Sequence, residues 1–267
     1  MRLAPTPSGF LHIGNALNFT LNWLAAKACG GSPMKGSFAS LFLRIDDLDN
    51  DRTRPEYLAD IFETLQWLKL DWDADPIFQS NNVQRYDLVL NDLHQRGMLF
   101  ACKKSRQELA AFEGQYPLEF REQNLSLDAP DVAWRIKTPP GFSLPDFVVR
   151  RRDGIPAYQI ASFADDLFYG TTHIIRGEDL KDSTMAQWYL ANVLKEDRFL
   201  NVKFIHHPLL LDEDGKKLSK SAGSMALKTV RDKGLGPEIV FQTLGKWIGL
   251  EGDSSKELLD AMQQKLR

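Results

Sequence analysis

The first fifteen residues, MRLAPTPSGFLHIGN, constrain the fold more than any other part of the chain. Pro5 and Pro7 fix the backbone dihedral φ and remove two hydrogen-bond donors, and the turn-forming residues after them end the extended segment. Apolar side chains then recur at helical spacing from residue 13 to residue 28. This pattern predicts a strand, a turn and a helix, with His12 and Gly14 at the N-terminus of the helix, which we call the helix mouth. The unpaired N–H groups and partial positive charge of a helix start favour an anion such as a nucleotide phosphate.

Composition excludes several classes of protein. The 267 residues are 43% hydrophobic and 26% charged, which suits one large or two modest domains, and the net charge of −3 argues against a protein that coats nucleic acid. No dinucleotide-binding, P-loop or zinc-protease motif is present. Cys29 and Cys102 have no paired spacing, and no apolar run approaches the ~18 residues of a membrane span. We therefore expect a cytoplasmic protein with no membrane partner.

Alternating strands and helices predict an α/β fold. A buried strand at 38–45, a helix from Pro55 and a helix at about 83–97 follow the first helix, which implies a parallel sheet with ligands at the carboxyl ends of its strands. The alternation is lost over 98–145 and returns afterwards. The predicted fold is a Rossmann-type parallel sheet, split by an inserted α+β subdomain, with a short helical C-terminal tail. The expected domain bounds are 1–97, 98–145, 146–208 and 209–267.

The later elements are predicted in the same way. Strands are expected at 147–150, 172–176 and 202–206, and helices at 158–168, at 184–194, from Pro237 and from Ser254. Ser105 with Glu108, and Ser254 with Glu257, have the spacing of a helix capping box. These signals place two of the helix starts.

A lysine-rich loop near the carboxyl end complements the first helix mouth. Residues 217–221 read KLSKS and are flanked by glycines. Together with HIGN at 12–15, they resemble the paired HIGH and KMSKS signatures of class I aminoacyl-tRNA synthetases. Four further segments resemble the glutamyl-tRNA synthetase subgroup: RLAPTPSG, LRIDDLD, RRDGIPAYQIASFADD and IRGEDL. The alternative for KLSKS is a solvent-exposed basic loop.

The chain most resembles a truncated branch of that family, the glutamyl-queuosine tRNA(Asp) synthetases. It stops soon after KLSKS, so we expect the anticodon-binding region of the full glutamyl enzymes to be absent. The resemblance implies a ligase that uses ATP and Mg²⁺ to form glutamyl-adenylate and transfers glutamate to tRNA, with queuosine of tRNA(Asp) favoured. It also implies that 98–145 is the acceptor-binding subdomain of the catalytic domain. We expect a monomer, although the sequence does not fix the oligomeric state.

Two other functions stay open on the sequence alone. One is ordinary charging of a tRNA 3′ end. The other is a non-catalytic paralogue that binds nucleotide, amino acid or RNA. The retained signature residues His12, Gly14, Lys217 and Lys220 favour an enzyme.

The resemblance also implies the site residues. The catalytic set is His12, Gly14, Lys217 and Lys220, and the ATP-binding set adds Asn15 and Ser219. The glutamate contacts are Arg2, Ala4 through its backbone, Thr6, Asp46, Tyr158 and Arg176. Lysines supply point charges to phosphates, whereas arginines bind carboxylates through two parallel hydrogen bonds. We expect Lys220 to contribute most to the rate. Tyr158 has core packing as its alternative role, and Arg176 has pairing with the acidic residues that follow it.

Several positions depart from the family pattern. Asn15 replaces the second histidine of the signature, Thr6 a serine, Asp46 a glutamate and Gln159 an asparagine. Asp46 is one methylene shorter, so its reach to a substrate ammonium needs a water or a backbone shift. The substrate is then glutamate bound more loosely, or a different acid.

A zinc site that relatives often carry in the insertion is incomplete. Cys102 and Tyr116 keep two of its positions, whereas Lys104 and Phe120 occupy the other two. One thiolate and a phenol do not make a tetrahedral zinc site, so we predict no zinc. We expect Phe120 to fill the space with apolar contacts.

Basic clusters and the remaining histidines give weaker signals. The clusters at 103–106 and 150–152 are either RNA contacts or solvated faces. His206, near KLSKS, is the one further histidine expected to lie near nucleotide. His94, His173 and His207 are expected to be structural.

Overall fold

The computed structural model describes residues 1–30, 40–110, 112, 116–209 and 226–265. The helices are α1 (Ile13–Gly30), α2 (Pro55–Trp67), α3 (Val83–Gln95), α4 (Arg106–Ala110), α5 (Tyr158–Phe168), α6 (Lys181–Leu194), α7 (Asp197–Leu200), α8 (Leu227–Asp232), α9 (Glu238–Ile248) and α10 (Ser255–Lys265). The strands are β1 (Arg2–Leu3), β2 (Phe42–Ile45), β3 (Ile77–Phe78), β4 (Leu99–Cys102), β5 (Ala133–Ile136), β6 (Val148–Arg150), β7 (His173–Gly177) and β8 (Lys203–His207). Short 3₁₀ helices occupy Gln79–Asn82, Leu118–Glu122 and Glu178–Leu180.

The chain forms two compact units. The first contains 1–81, 173–179 and 203–267, and the second contains 82–172 and 180–202. In the first unit, β1, β2 and β3 pair in parallel, and β7 pairs in parallel with β8. Helix α1 packs against both β1 and β7. The parallel sheet predicted from the alternating pattern is therefore confirmed.

The core of the first unit is built on these strands and on α1. Leu3, Leu43 and Ile175 lie in one buried apolar cluster with side chains of α1, α2, α9 and α10. Asn22 of α1 donates an amide hydrogen to the carbonyl oxygen of Ile175 at 3.1 Å. The helix is thus fixed against β7 by both apolar packing and a buried hydrogen bond.

The second unit carries an antiparallel sheet in which β5 lies between β4 and β6. Helices α3, α5 and α6 pack against one another in the same unit. The predicted capping box is confirmed: the Ser105 N–H donates to the Glu108 carboxylate at 2.8 Å, and the Ser105 hydroxyl accepts from the Glu108 N–H at 3.1 Å. The backbone bond from Ser105 is the main cause of the pKa of Glu108 falling to about 2.

Most predicted elements match the structure, with differences at their ends. The strand predicted at 38–45 starts only at Phe42 among the described residues, and 38–39 lie outside them. Strand β4 has no counterpart among the predictions, because its residues were assigned to an irregular insertion. The domain bounds at 97, 145 and 208 stay predictions. In the described part of the chain, none of the helices has the length and apolarity to cross a membrane.

Candidate active site

His12 caps the first helix. Its Nδ1 accepts the Gly14 N–H at 3.1 Å, and the Asn15 Oδ1 accepts the His12 N–H at 3.0 Å. This reciprocal arrangement is that of a capping box, with Asn15 in the usual place of glutamate or glutamine. Because Nδ1 is an acceptor, a neutral His12 ring carries its proton on Nε2. His12, the predicted phosphate ligand, thus keeps a hydrogen-bond donor on Nε2, and the Asn15 side chain holds the His12 backbone N–H.

The chain that follows the lysine loop pairs with this helix mouth. Ala226 forms an antiparallel bridge with His12, and the Leu227 N–H donates to the Leu11 carbonyl at 2.8 Å. These contacts fix His12 and the residue before it. The carboxyl flank of the KLSKS segment therefore lies beside the predicted phosphate site.

The chain that precedes the loop is also fixed to α1. His207, at the end of β8, places Nε2 at 2.8 Å from the Asn18 amide nitrogen and Nδ1 at 2.8 Å from the carbonyl oxygen of the next residue. The carbonyl requires a proton on Nδ1, so Nε2 accepts from Asn18. His207 is thus a structural link. The predicted residues Lys217, Ser219 and Lys220 lie outside the described residues.

Three arginines are buried on the strands of the first unit. Arg2 of β1, Arg44 of β2 and Arg176 of β7 are 6%, 2% and 4% exposed. Each is adjacent in sequence to a core-facing side chain, so strand alternation directs it to the face opposite that core. Buried arginines require anionic or polar partners. The unit is therefore suited to carboxylate or phosphate groups on that face.

Arg44 is a buried residue beside the predicted ligand Asp46 that the sequence analysis missed. Its Nε lies 2.7 Å from one carboxylate oxygen of Asp46, and its Nη2 lies 3.2 Å from the other. The signal was available, because residues two apart on a strand share a face. Asp46, predicted to accept the substrate ammonium, thus already binds an arginine with both oxygens.

Removing the charge of Arg44 should make the folded protein less stable. We expect Arg44→Met to lower the free energy of unfolding by about 3–5 kcal/mol, because Asp46 would stay buried without this cation. Urea denaturation measures the loss. Arg52→Met is the matched control, since Arg52 is 76% exposed and lies 3.8 Å from Asp49, and exposed pairs contribute about 0–1 kcal/mol. Equal stability of the two variants would contradict this role of Arg44.

The remaining predicted contacts of the first unit lie at strand ends. Arg176 places its guanidinium carbon 4.9 Å from the centroid of the Phe204 ring, and its neighbour across the strands is His206. His206 therefore lies beside a predicted carboxylate ligand. Ala4 follows β1 and is half-buried, whereas Thr6 is exposed and its carbonyl accepts the N–H two residues later.

A cleft in the second unit contains the other predicted glutamate contact. Tyr158, the first residue of α5, lines a cleft of about 990 Å³ with Gln159 and Arg135. The Gln159 Oε1 is buried and has no hydrogen-bond partner among the described residues. Both basic clusters contribute to the lining, through Lys104, Arg151 and Arg152. The cleft thus presents several cations to a polar ligand, together with the carboxylates of Asp131 and Asp153.

The four positions that the family resemblance relates to a zinc site meet in space. The Tyr116 hydroxyl donates to the Cys102 sulfur at 3.0 Å, and the Tyr116 and Phe120 ring centroids are 5.8 Å apart. The Lys104 ammonium lies 4.8 Å from the centroid of the Phe120 ring. Burial opposes ionisation of the Cys102 thiol, but hydrogen bonds from Tyr116 and a neighbouring glutamine hold its pKa below the usual value. Aromatic packing occupies this cluster, as expected for Phe120.

Metal analysis tests the prediction that this cluster binds no zinc. We expect the purified protein to contain well under one equivalent of zinc, because one thiolate is too few for a structural site. The variant K104C/F120C restores two thiolates and should bind about one equivalent. A full equivalent in the unmodified protein would refute the prediction.

Comparisons with known proteins agree on one family. The family model described as tRNA synthetases class I (E and Q), catalytic domain, matches residues 1–123 and 120–265. A glutamyl-Q tRNA(Asp) synthetase of Parasynechococcus marenigrum (strain WH8102) is 38% identical over 99% of this chain and 89% of that protein. A glutamate–tRNA ligase of Synechococcus sp. (strain JA-3-3Ab) is 33% identical over 95% of this chain but only 58% of that protein.

Solved structures show the same fold. A glutamate tRNA ligase from Elizabethkingia meningosepticum, crystallised in complex with its amino acid, has a TM-score of 0.74 at 24% identity. The match covers 97% of this chain and 64% of that one. The predicted class I fold, with its helical carboxyl-terminal region, is therefore confirmed. The chain belongs to the family of class I tRNA synthetase catalytic domains specific for glutamate and glutamine.

Proposed function

We propose that this chain activates glutamate with ATP and transfers it to a tRNA, with queuosine of tRNA(Asp) as the favoured acceptor. The observation that carries the proposal is the helix mouth, where His12 holds a donor nitrogen beside the flank of KLSKS. Relatives named for the glutamyl-Q reaction match this chain over most of their own length, whereas those named glutamate–tRNA ligase are matched over little more than half.

The first step joins two anions. A carboxylate oxygen of glutamate attacks the α-phosphorus of ATP, the bond to the bridging oxygen breaks, and pyrophosphate leaves. His12 would donate its Nε2 proton as a hydrogen bond to a phosphate oxygen, and Arg2 and Arg176 would hold the carboxylates. Lys220, six residues before Ala226 in the sequence, is proposed to add a positive charge to the phosphates. Mg²⁺ would arrive on the ATP phosphates, since this ion seldom needs an all-protein cage.

The second step needs the RNA. A hydroxyl oxygen of the acceptor attacks the acyl carbon of glutamyl-adenylate, and AMP leaves with the oxygen that joined phosphorus to glutamate. The cleft lined by Tyr158, Lys104 and Arg151 supports an RNA contact through its cations. We place the reaction in the cytosol, where tRNA is available, and propose that a monomer is sufficient.

Transfer of label tests the proposal. Glutamate-dependent exchange of pyrophosphate into ATP is measured first, and radiolabelled glutamate is then offered to individual tRNAs. We expect exchange, followed by label that survives removal of the 3′ adenosine of tRNA(Asp). Label lost with that adenosine would show ordinary charging instead, and no exchange with any amino acid would show a binding protein.

A further inference from the structure

A buried ion pair lies directly behind the helix mouth. Asp60 of α2 is 1% exposed, and one of its carboxylate oxygens accepts the Leu11 N–H at 2.8 Å. The other oxygen accepts from Arg231 of α8 at 2.7 Å. Arg231 is 11% exposed on its side chain and also donates to the Thr64 hydroxyl at 2.6 Å. The pair therefore ties α2, α8 and the peptide before His12 together.

This pair acts on the backbone that carries His12. Leu11 donates its N–H to Asp60, while its carbonyl accepts the Leu227 N–H. Both hydrogen-bonding groups of the residue before the cap are thus fixed by α2 and by the start of α8. A displaced Leu11 would rotate the His12 ring away from its bond to Gly14. Angular errors of this kind are costly in a site that depends on positioned donors.

Stability alone does not account for such an arrangement. Replacing a buried ion pair by apolar side chains of similar volume is often neutral or stabilising, because desolvation cancels much of the attraction. The apolar replacement would nevertheless lose the acceptor for the Leu11 N–H. Geometry at His12 is therefore the property that depends specifically on this pair.

We propose that Asp60 and Arg231 are positioning residues that hold His12 in the orientation required for ATP. The proposal rests on the proposed function, since it takes His12 as a phosphate ligand. It predicts that the pair controls the use of ATP without controlling the use of the amino acid. Arg231 acts through Asp60, and Asp60 acts through the Leu11 peptide.

Two double variants separate positioning from folding. D60L/R231M removes the ion pair and the acceptor, whereas D60N/R231M removes both charges but leaves an amide oxygen for the Leu11 N–H. We expect D60L/R231M to lower kcat/KM for ATP at least about tenfold, with KM for glutamate changed less than about twofold. D60N/R231M should recover most of the loss. Thermal unfolding is recorded for every variant.

A matched pair in the second unit supplies the control. Asp146 is 2% exposed, accepts the Thr138 N–H at 2.8 Å, and pairs with Arg121 at 2.6 Å. Arg121→Met should reduce the unfolding temperature without a selective effect on ATP. Glu63→Gln tests the exposed partner of Arg231, which lies at 3.0 Å and is 60% exposed, and should be close to unmodified protein.

The results distinguish failure of the positioning role from failure of the proposed function on which it rests. Selective loss for ATP in D60L/R231M and its recovery in D60N/R231M would establish the positioning role. Equal kinetics for both double variants, or losses for ATP and glutamate that follow stability alone, would overturn it. If unmodified protein shows no exchange, the proposed function fails. Calorimetric titration then measures the Kd for ATP of the unmodified protein and of the same variants.

Discussion

His12→Ala is expected to lower the rate of glutamate-dependent pyrophosphate exchange by about 10²–10³-fold, the usual effect of removing one positioned donor from a transition-state site. The imidazole is held at the helix mouth by the Gly14 N–H, which leaves its proton on Nε2. The steady-state rate of pyrophosphate exchange at saturating glutamate measures the effect. The loss should appear in kcat, because charge on the phosphates increases in the transition state.

His12→Asn separates this chemistry from helix capping. Asparagine is among the best N-cap residues, so it should accept the Gly14 N–H and restore the ~1 kcal/mol of stability that a lost cap costs. It should not restore the rate, because its side chain is too short to replace the Nε2 donor. Exchange by His12→Asn close to that of unmodified protein would show that His12 only caps the helix.

Arg176→Met is expected to raise KM for glutamate by about 10²-fold or more, with KM for ATP nearly unchanged. The residue is 4% exposed and lies at the carboxyl end of β7, and losing one partner of a buried charge pair costs about 2–5 kcal/mol. Arg176→Lys should be intermediate, because an ammonium keeps the charge but not the planar fork. Exchange kinetics with varied glutamate provide the measurement.

Glutamine identifies which carboxylate each arginine binds. Glutamine lacks only the γ-carboxylate, so loss of the arginine that binds that group should abolish the preference for glutamate. We propose that Arg2 and Arg176 bind different carboxylates of one substrate, and we therefore expect Arg2→Met and Arg176→Met to differ in this respect. An unchanged preference and an unchanged KM in both variants would contradict their assignment to the amino acid.

The sequence predicted the parallel part of the fold because local and nonlocal signals agreed there. Helix α1 follows a proline-rich turn and has a continuous apolar stripe, and Pro55 marks the start of α2. Strand β4 was missed because its four residues, although buried, lie where the alternation of strands and helices is lost. Each of its residues pairs with a residue of β5 that is more than thirty positions away in the sequence. A local sequence pattern does not predict such a pairing.

The sequence predicted which residues belong to the candidate site better than it predicted how they are arranged. Family resemblance named His12, Arg2, Asp46 and Arg176, and the structure shows how buried or fixed each one is. It did not indicate that the Asn15 side chain would accept the His12 N–H, and the ATP-binding role of Asn15 stays a prediction. Arg44 and the Asp60–Arg231 pair were not predicted, because the order of charged residues in a sequence does not show which of them tertiary packing buries and pairs.

The fate of the carboxylate oxygen tests the central claim most directly. Glutamate labelled with ¹⁸O in its α-carboxylate is incubated with ATP and Mg²⁺, and the activated acid is captured with hydroxylamine. We predict pyrophosphate, α-glutamyl hydroxamate and AMP that carries one ¹⁸O atom, because the attacking oxygen stays on phosphorus when the acyl group leaves. AMP without the label, or release of ADP and phosphate in place of AMP and pyrophosphate, would contradict adenylate formation at this site.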